Sequence, residues 1–192
     1  IFVAAVAVIA GLVLVSTARD ASAAANLVTN GDFKTATTDW TAFGADSALA
    51  WAAGPTNDAD GSAASGSAQV DQTNPSGAPW AIAEQGCVSL PGVAGTYELM
   101  GVSKLASSND VNTMARVRVE LFTDGACSVL GAIVYTTTNS LNDGAWHAVA
   151  NTAVGVLNSH LSARVQLLIN ASVLTPAPRG YFDNVSFSNG PV

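Results

Sequence analysis

Two stretches of this chain alternate apolar and polar residues without a break. In Met114–Phe122, Ala115, Val117, Val119 and Leu121 take every second place, with Arg116, Arg118 and Glu120 between them. In Ser162–Ala171, Ala163, Val165, Leu167 and Ile169 alternate with Arg164, Gln166 and Asn170. Successive side chains of a strand point to opposite faces, so a period of two marks a sheet with one buried face. From Asn26 onward no window repeats apolar residues at helical spacing over three turns. The constraint is strong: the chain folds as β-structure.

The remaining runs agree. Trp40–Phe43, Ala48–Trp51, Ser67–Asp71, Trp80–Leu90, Thr96–Leu105, Val129–Thr137 and Trp146–Thr152 are short and strand-like. Asn74-Pro75-Ser76-Gly77, Pro91-Gly92 and Asn142-Asp143-Gly144 punctuate them as turns. Gly54–Gly66, rich in Asp, Asn, Gly, Ser and Ala, cannot fill a core and reads as a surface loop. Nine or ten strands with no crossover helices predict an all-β, antiparallel β-sandwich of jelly-roll type.

Residues 1–25 stand apart. Ile1–Val15 is apolar throughout, and small residues follow, including Ala21-Ser22-Ala23. An apolar core before an A-x-A site reads as a secretory signal peptide, which makes 26–192 the sandwich and places it outside the cell. The alternative is a retained apolar helix. Type IV pilin-like subunits pack such a helix in a filament core, and this leader resembles theirs loosely, with Ala5 where they carry Glu. That reading makes the chain a structural subunit that self-assembles through its N-terminal helix.

Charge narrows the partners. The 192 residues carry a net charge of −7, and only 11% are charged. Nucleic acid demands a basic stripe and anionic lipid a basic patch, so neither is expected. The two cysteines, Cys87 and Cys127, lie in no CxxC or His-rich setting, which argues against zinc. In an exported chain they are expected to form a disulfide, the alternative being two separate buried thiols.

The ends of the sandwich carry a resemblance. The first stretch after the leader is Asn26-Leu27-Val28-Thr29-Asn30-Gly31-Asp32-Phe33, and the last is Arg179-Gly180-Tyr181-Phe182-Asp183-Asn184-Val185-Ser186-Phe187-Ser188. By simple alternation Tyr181, Asp183, Val185 and Phe187 share one face of a closing strand, paired with an opening strand Asn26–Phe33. Gln85-Gly86-Cys87-Val88-Ser89-Leu90-Pro91-Gly92 followed by Gly95-Thr96-Tyr97 lies between them, with Trp146 and Ala163-Arg164-Val165-Gln166-Leu167 further on. In this order they resemble the galactose-binding-like, jelly-roll carbohydrate-binding modules attached to secreted cellulases, xylanases and laminarinases. The resemblance implies a non-catalytic domain whose partner is a polysaccharide or cell-surface glycan. It also implies a structural calcium ion between the two ends. Here Lys34 replaces the family's glutamate, leaving Asp183 and Asp32 as candidate ligands.

Sugar recognition requires flat aromatic faces and polar groups for hydroxyls. Trp51, Trp80, Trp146, Tyr97, Tyr135 and Tyr181 are candidate platforms, and Trp80, beside a Pro-Gly-rich loop, is the foremost. Trp40, Phe33 and Phe182 read as core. Arg116, Arg118, Glu120, Arg164 and Gln166 project from the non-core faces of two strands and form a polar bed if those strands are neighbours. Catalysis finds little support. A glycosidase needs two facing carboxyls, and the three glutamates Glu84, Glu98 and Glu120 show no spacing that demands it, although Glu98 and Glu120 could face each other across strands. His147 and His160 have no G-x-S-x-G companion.

Overall fold

The structure is a computed structural model that describes residues 25–74, 76–136 and 141–190. The expected signal peptide or filament helix therefore lies outside the described residues, apart from Ala25. Eleven strands are described and pair into two antiparallel sheets. The first holds β1 (Trp40–Phe43), β4 (Trp80–Gln85), β10 (Ser162–Asn170), β7 (Met114–Phe122) and β8 (Leu130–Tyr135) in that order, with β5 (Val88–Ser89) also against β10. The second runs β2 (Ser47–Ala53), β3 (Gly66–Gln72), β11 (Arg179–Ser188), β6 (Gly95–Leu105) and β9 (His147–Val156). No helix appears among the described residues. The sandwich expected from the alternation is the one observed.

The core lies between the sheets and is built from the inward halves of the alternating strands. Ala115, Val117, Val119 and Leu121 from β7, with Ala163, Val165 and Leu167 from β10, are fully buried, and Ile169 is nearly so. Facing them from the second sheet are Val70, Leu99, Val149, Val154 and Phe182. Trp40 joins this core, its ring 5.4 Å from that of Phe33, as expected. Burying these side chains is the main favourable contribution to folding.

Two expectations about the chain ends need correction. The opening stretch is not a strand. It runs irregularly beside β11, with Leu27 N–H donating to Phe187 O at 2.8 Å and Val185 N–H to Gly31 O at 2.9 Å. Asn30 and Phe33 have positive φ, 47° and 39°, which breaks an extended ladder. Gly31 is obligatory here, because a Cβ would lie 2.1 Å from Val185 O.

The closing strand is real, but its alternation is interrupted. The register with β6 shifts between Asp183 and Ser186, and Asn184 sits at φ 51°. This bulge places two residues against one and re-aims the side chains beyond it. Phe182 therefore shares the core with Val185 and Phe187, while Tyr181 and Asp183 face outward.

The cysteines pair. Cys87 and Cys127 form a disulfide with Cα atoms 5.8 Å apart and a sequence separation of 40. It ties the β4–β5 turn to the loop between β7 and β8. On the chain-entropy account such a link stabilises by about 3–4 kcal/mol.

Candidate functional site

Strand order decides which outward residues meet. β10 lies between β4 and β7, and β8 flanks β7, so residues directly opposite one another form rows across the first sheet. One row is Thr41, Glu84, Gln166, Arg118 and Tyr135. The next is Phe43, Ile82, Leu168 and Arg116. Trp80, Asn170 and Met114 form a third, and Arg164, Glu120 and Ile133 a fourth. The polar residues named from the sequence thus come together on one sheet face.

They are tied to one another. Gln166, 1% exposed, donates to Glu84 Oε2 at 2.8 Å and accepts from Arg118 Nε. Arg118 also contacts Glu120 at 3.2 Å. Arg164 stands between two carboxylates, its Nη1 3.7 Å from Glu84 Oε2 and 3.7 Å from Glu120 Oε2. Its guanidinium also lies over the ring of Phe122, 5.3 Å from the centroid. Each member fixes the rotamer of its neighbour, so the bed presents a preset pattern of donors and acceptors.

Beside this network is a depression of about 380 Å³ lined by Phe43, Trp80, Ile82, Arg118, Tyr135, Leu168 and Asn170. Trp80 is 47% exposed and Tyr135 37% exposed. Two candidate platforms, from strands remote in sequence, therefore line one hollow. Its size falls in the range of small-molecule and sugar-ring sites, and its lining mixes aromatic and aliphatic side chains with the polar Arg118 and Asn170. Phe43, Ile82 and Leu168 were missed by sequence reasoning, and Glu84 was considered only as a catalytic carboxyl. Their signal was present in the patterns of β1, β4 and β10, but it required the strand neighbours to be known.

The other platform candidates are placed elsewhere. Tyr97 is core, 1% exposed and 5.2 Å from the ring of Phe187. Trp51 lies on β2 at the edge of the second sheet and donates from Nε1 to Phe33 O at 2.8 Å. Trp146 and Tyr181 hold the ammonium of Lys104, 5.0 Å and 4.6 Å from the two ring centroids. Lys104 is bonded as well to Thr56 O and Asn57 Oδ1 of the loop after β2. Burial lowers its pKa.

The acids proposed for calcium take separate partners. Asp32 forms an exposed ion pair with Lys34 at 2.9 Å. Asp183 is buried and accepts from Ala59 N–H at 3.1 Å and from Asn184 N–H at 2.8 Å. Burial first, and the nearby Asp58 and Asp60, push its carboxyl up to about 6, against the pull of those two N–H groups. Among the described residues no group of three or more His, Cys, Asp or Glu side chains is arranged to hold a metal ion. A calcium ion wants six to eight oxygens, and these two acids do not by themselves fit it.

The carboxyl pair considered from sequence does not form either, because Glu98 is on β6 of the second sheet and Glu120 on β7 of the first. Glu84 and Glu120 do approach one another, but the Arg164 guanidinium occupies the space between them.

The two antiparallel sheets define a β-sandwich of jelly-roll type. No family model and no curated relative matches the sequence. Structural neighbours include family 22 xylan-binding modules. One is the C-terminal family 22 carbohydrate-binding module of Clostridium thermocellum Xyn10B, with TM-score 0.54 and 17% identity over 84% of this chain and 94% of that one. Another is a xylan-binding domain of Paenibacillus barcinonensis Xyn10C, with TM-score 0.57 and 14% identity over 87% and 98%. A cyclase from a Fischerella species aligns equally well, with TM-score 0.55 and 16% identity over 88% and 99%. At these identities the likeness establishes the fold. Since binding modules and a cyclase share it, function must be argued from the site.

Proposed function

We propose that this chain is a secreted, non-catalytic carbohydrate-binding module that holds a polysaccharide on the outer face of the first sheet. The observation that carries this reading is the meeting of Trp80 and Tyr135 in one open hollow beside the Glu84–Gln166–Arg118 network. Aromatic rings there bury the apolar CH face of a pyranose, and the fixed polar side chains take its hydroxyls. Because the network is held before any ligand arrives, little side-chain entropy is lost on binding. Xylan is the first polymer to try, since family 22 neighbours bind it.

Arg164 supports the absence of glycoside hydrolysis. Hydrolysis needs open space between two carboxyls for a sugar or a water, and here a guanidinium fills that space.

The test is retention on insoluble xylan and on other insoluble β-glycans, followed by native gels with soluble forms. Wild-type protein is expected to be retarded by at least one polymer, and Trp80→Ala to lose the retardation while keeping its melting temperature. Migration unchanged by every glycan would refute the proposal.

A further inference from the structure

Of the seven Lys and Arg residues in this acidic chain, three stand on one sheet face: Arg116, Arg118 and Arg164. Two carboxylates, Glu84 and Glu120, answer them there. The pairing is unequal. Arg164 touches both acids and Arg118 touches Glu120, whereas Arg116 has no carboxylate partner among the described residues. Among the described residues its Nη2 reaches only the sulfur of Met114, at 3.3 Å, and its buried Nε has no acceptor. Its guanidinium instead lies over Tyr135, 5.7 Å from the ring centroid. An arginine held part-buried without an acceptor is costly, and such a group signals a partner that arrives later.

The partner's location follows from the sheet. Arg116 lies opposite Leu168, next to Arg118 on the same face and against Tyr135. All three of those neighbours line the hollow. Trp80 and Ile82 on β4 are two strands away, about 10 Å at ordinary strand spacing. A ring stacked near Trp80 therefore leaves a substituent or a neighbouring ring within reach of Arg116.

Resting on the carbohydrate-binding reading, we infer that the preferred glycan is acidic, and that a uronic acid carboxylate pairs with Arg116. Guanidinium and carboxylate match as planar, two-pronged partners, and the ligand would supply the carboxylate that no described residue supplies to Arg116. The local charge agrees. Three arginines against two glutamates leave this face positive, in a chain whose net charge of −7 would otherwise repel a polyanion.

The experiment compares glucuronoxylan with the same polymer after its uronic acids have been reduced to neutral sugars. Wild-type protein is expected to bind the acidic polymer at least tenfold more tightly, with the advantage shrinking as salt rises. Arg116→Gln should abolish that preference, weakening binding to the acidic polymer at least tenfold more than binding to the reduced one, and Arg116→Lys should keep part of it. Equal wild-type affinity for the two polymers overturns the inference, and needs no variant to do so. So does an Arg116→Gln protein that weakens equally toward both. Binding to neither polymer, nor to any other glycan, would instead remove the carbohydrate-binding proposal and this inference with it.

Discussion

The outer faces of the two sheets use similar residues to opposite ends. On the second sheet, Lys104 lies between Trp146 and Tyr181, and the loop after β2 closes over it through Thr56 and Asn57. The same loop reaches Asp183 through Ala59 N–H. The cation there is satisfied by the two rings and by loop oxygens, although Trp146 Nε1 has no hydrogen-bond partner among the described residues. On the first sheet Trp80 and Tyr135 line an open hollow, and Arg116 keeps unmet hydrogen-bonding capacity. The lesson is that an aromatic and a cation make a binding face only where no loop covers them. Covered, they hold the fold together.

Four experiments bear on that comparison. The largest effect is expected from the disulfide, which serves the open sheet. Cys87→Ala with Cys127→Ala should cost about 3–4 kcal/mol in urea unfolding, and a loss under 1 kcal/mol would mean that the β7–β8 loop holds its place unaided. Next comes Trp146→Ala on the covered face. It should destabilise by about 2 kcal/mol, less than a fully buried tryptophan because the ring is only half-buried. Glycan retention should not change, and a loss of retention would move the site to the second sheet.

Trp80→Ala should do the reverse. A central aromatic contact is worth about 2 kcal/mol, roughly 30-fold in Kd, while the melting temperature stays near that of wild type because the ring is 47% exposed. Calorimetric titration and thermal unfolding of the same sample separate the two effects.

The smallest effect concerns Asp183, and its sign is set by its raised pKa. Folded, this carboxyl titrates near 6, above the ordinary 3.8. The folded state therefore holds the proton more tightly, and the group's contribution is present below pH 4 and lost as pH rises through 6. Asp183→Asn should flatten that part of the stability profile and raise the melting temperature at pH 8. An unchanged slope between pH 4 and 6 would show that the loop carrying Asp58 and Asp60 does not bear on this carboxyl.

Much of the first sheet was legible from residue order alone. The inward and outward sets of β7 and β10 fell where their alternation put them, because a strand's period depends only on its own backbone. Trp40 and Phe33 were recognisable as core for the same reason that the loop after β2 was recognisable as loop: composition reports what can be buried. The closing strand was read correctly in extent but not in facing, since one residue in left-handed conformation at Asn184 shifts every side chain beyond it. Nothing in a short stretch of Asp, Asn and Val announces such a bulge.

The site itself was half legible. Trp80 and the polar residues of β7 and β10 could be named as outward-facing, but not who stood beside whom. Sequence by itself determined the class of fold, the core faces of the long strands and the chance of a crosslink between two cysteines. Tertiary structure decided that β10 lies between β4 and β7, and so that Glu84 joins Gln166 and Arg118, that Tyr135 and Trp80 line one hollow, and that Lys104 is covered by a loop while Arg116 is not. The reason is physical. Alternation is a local property of two or three bonds, whereas strand order depends on how the two sheets close over one core, which no single segment encodes.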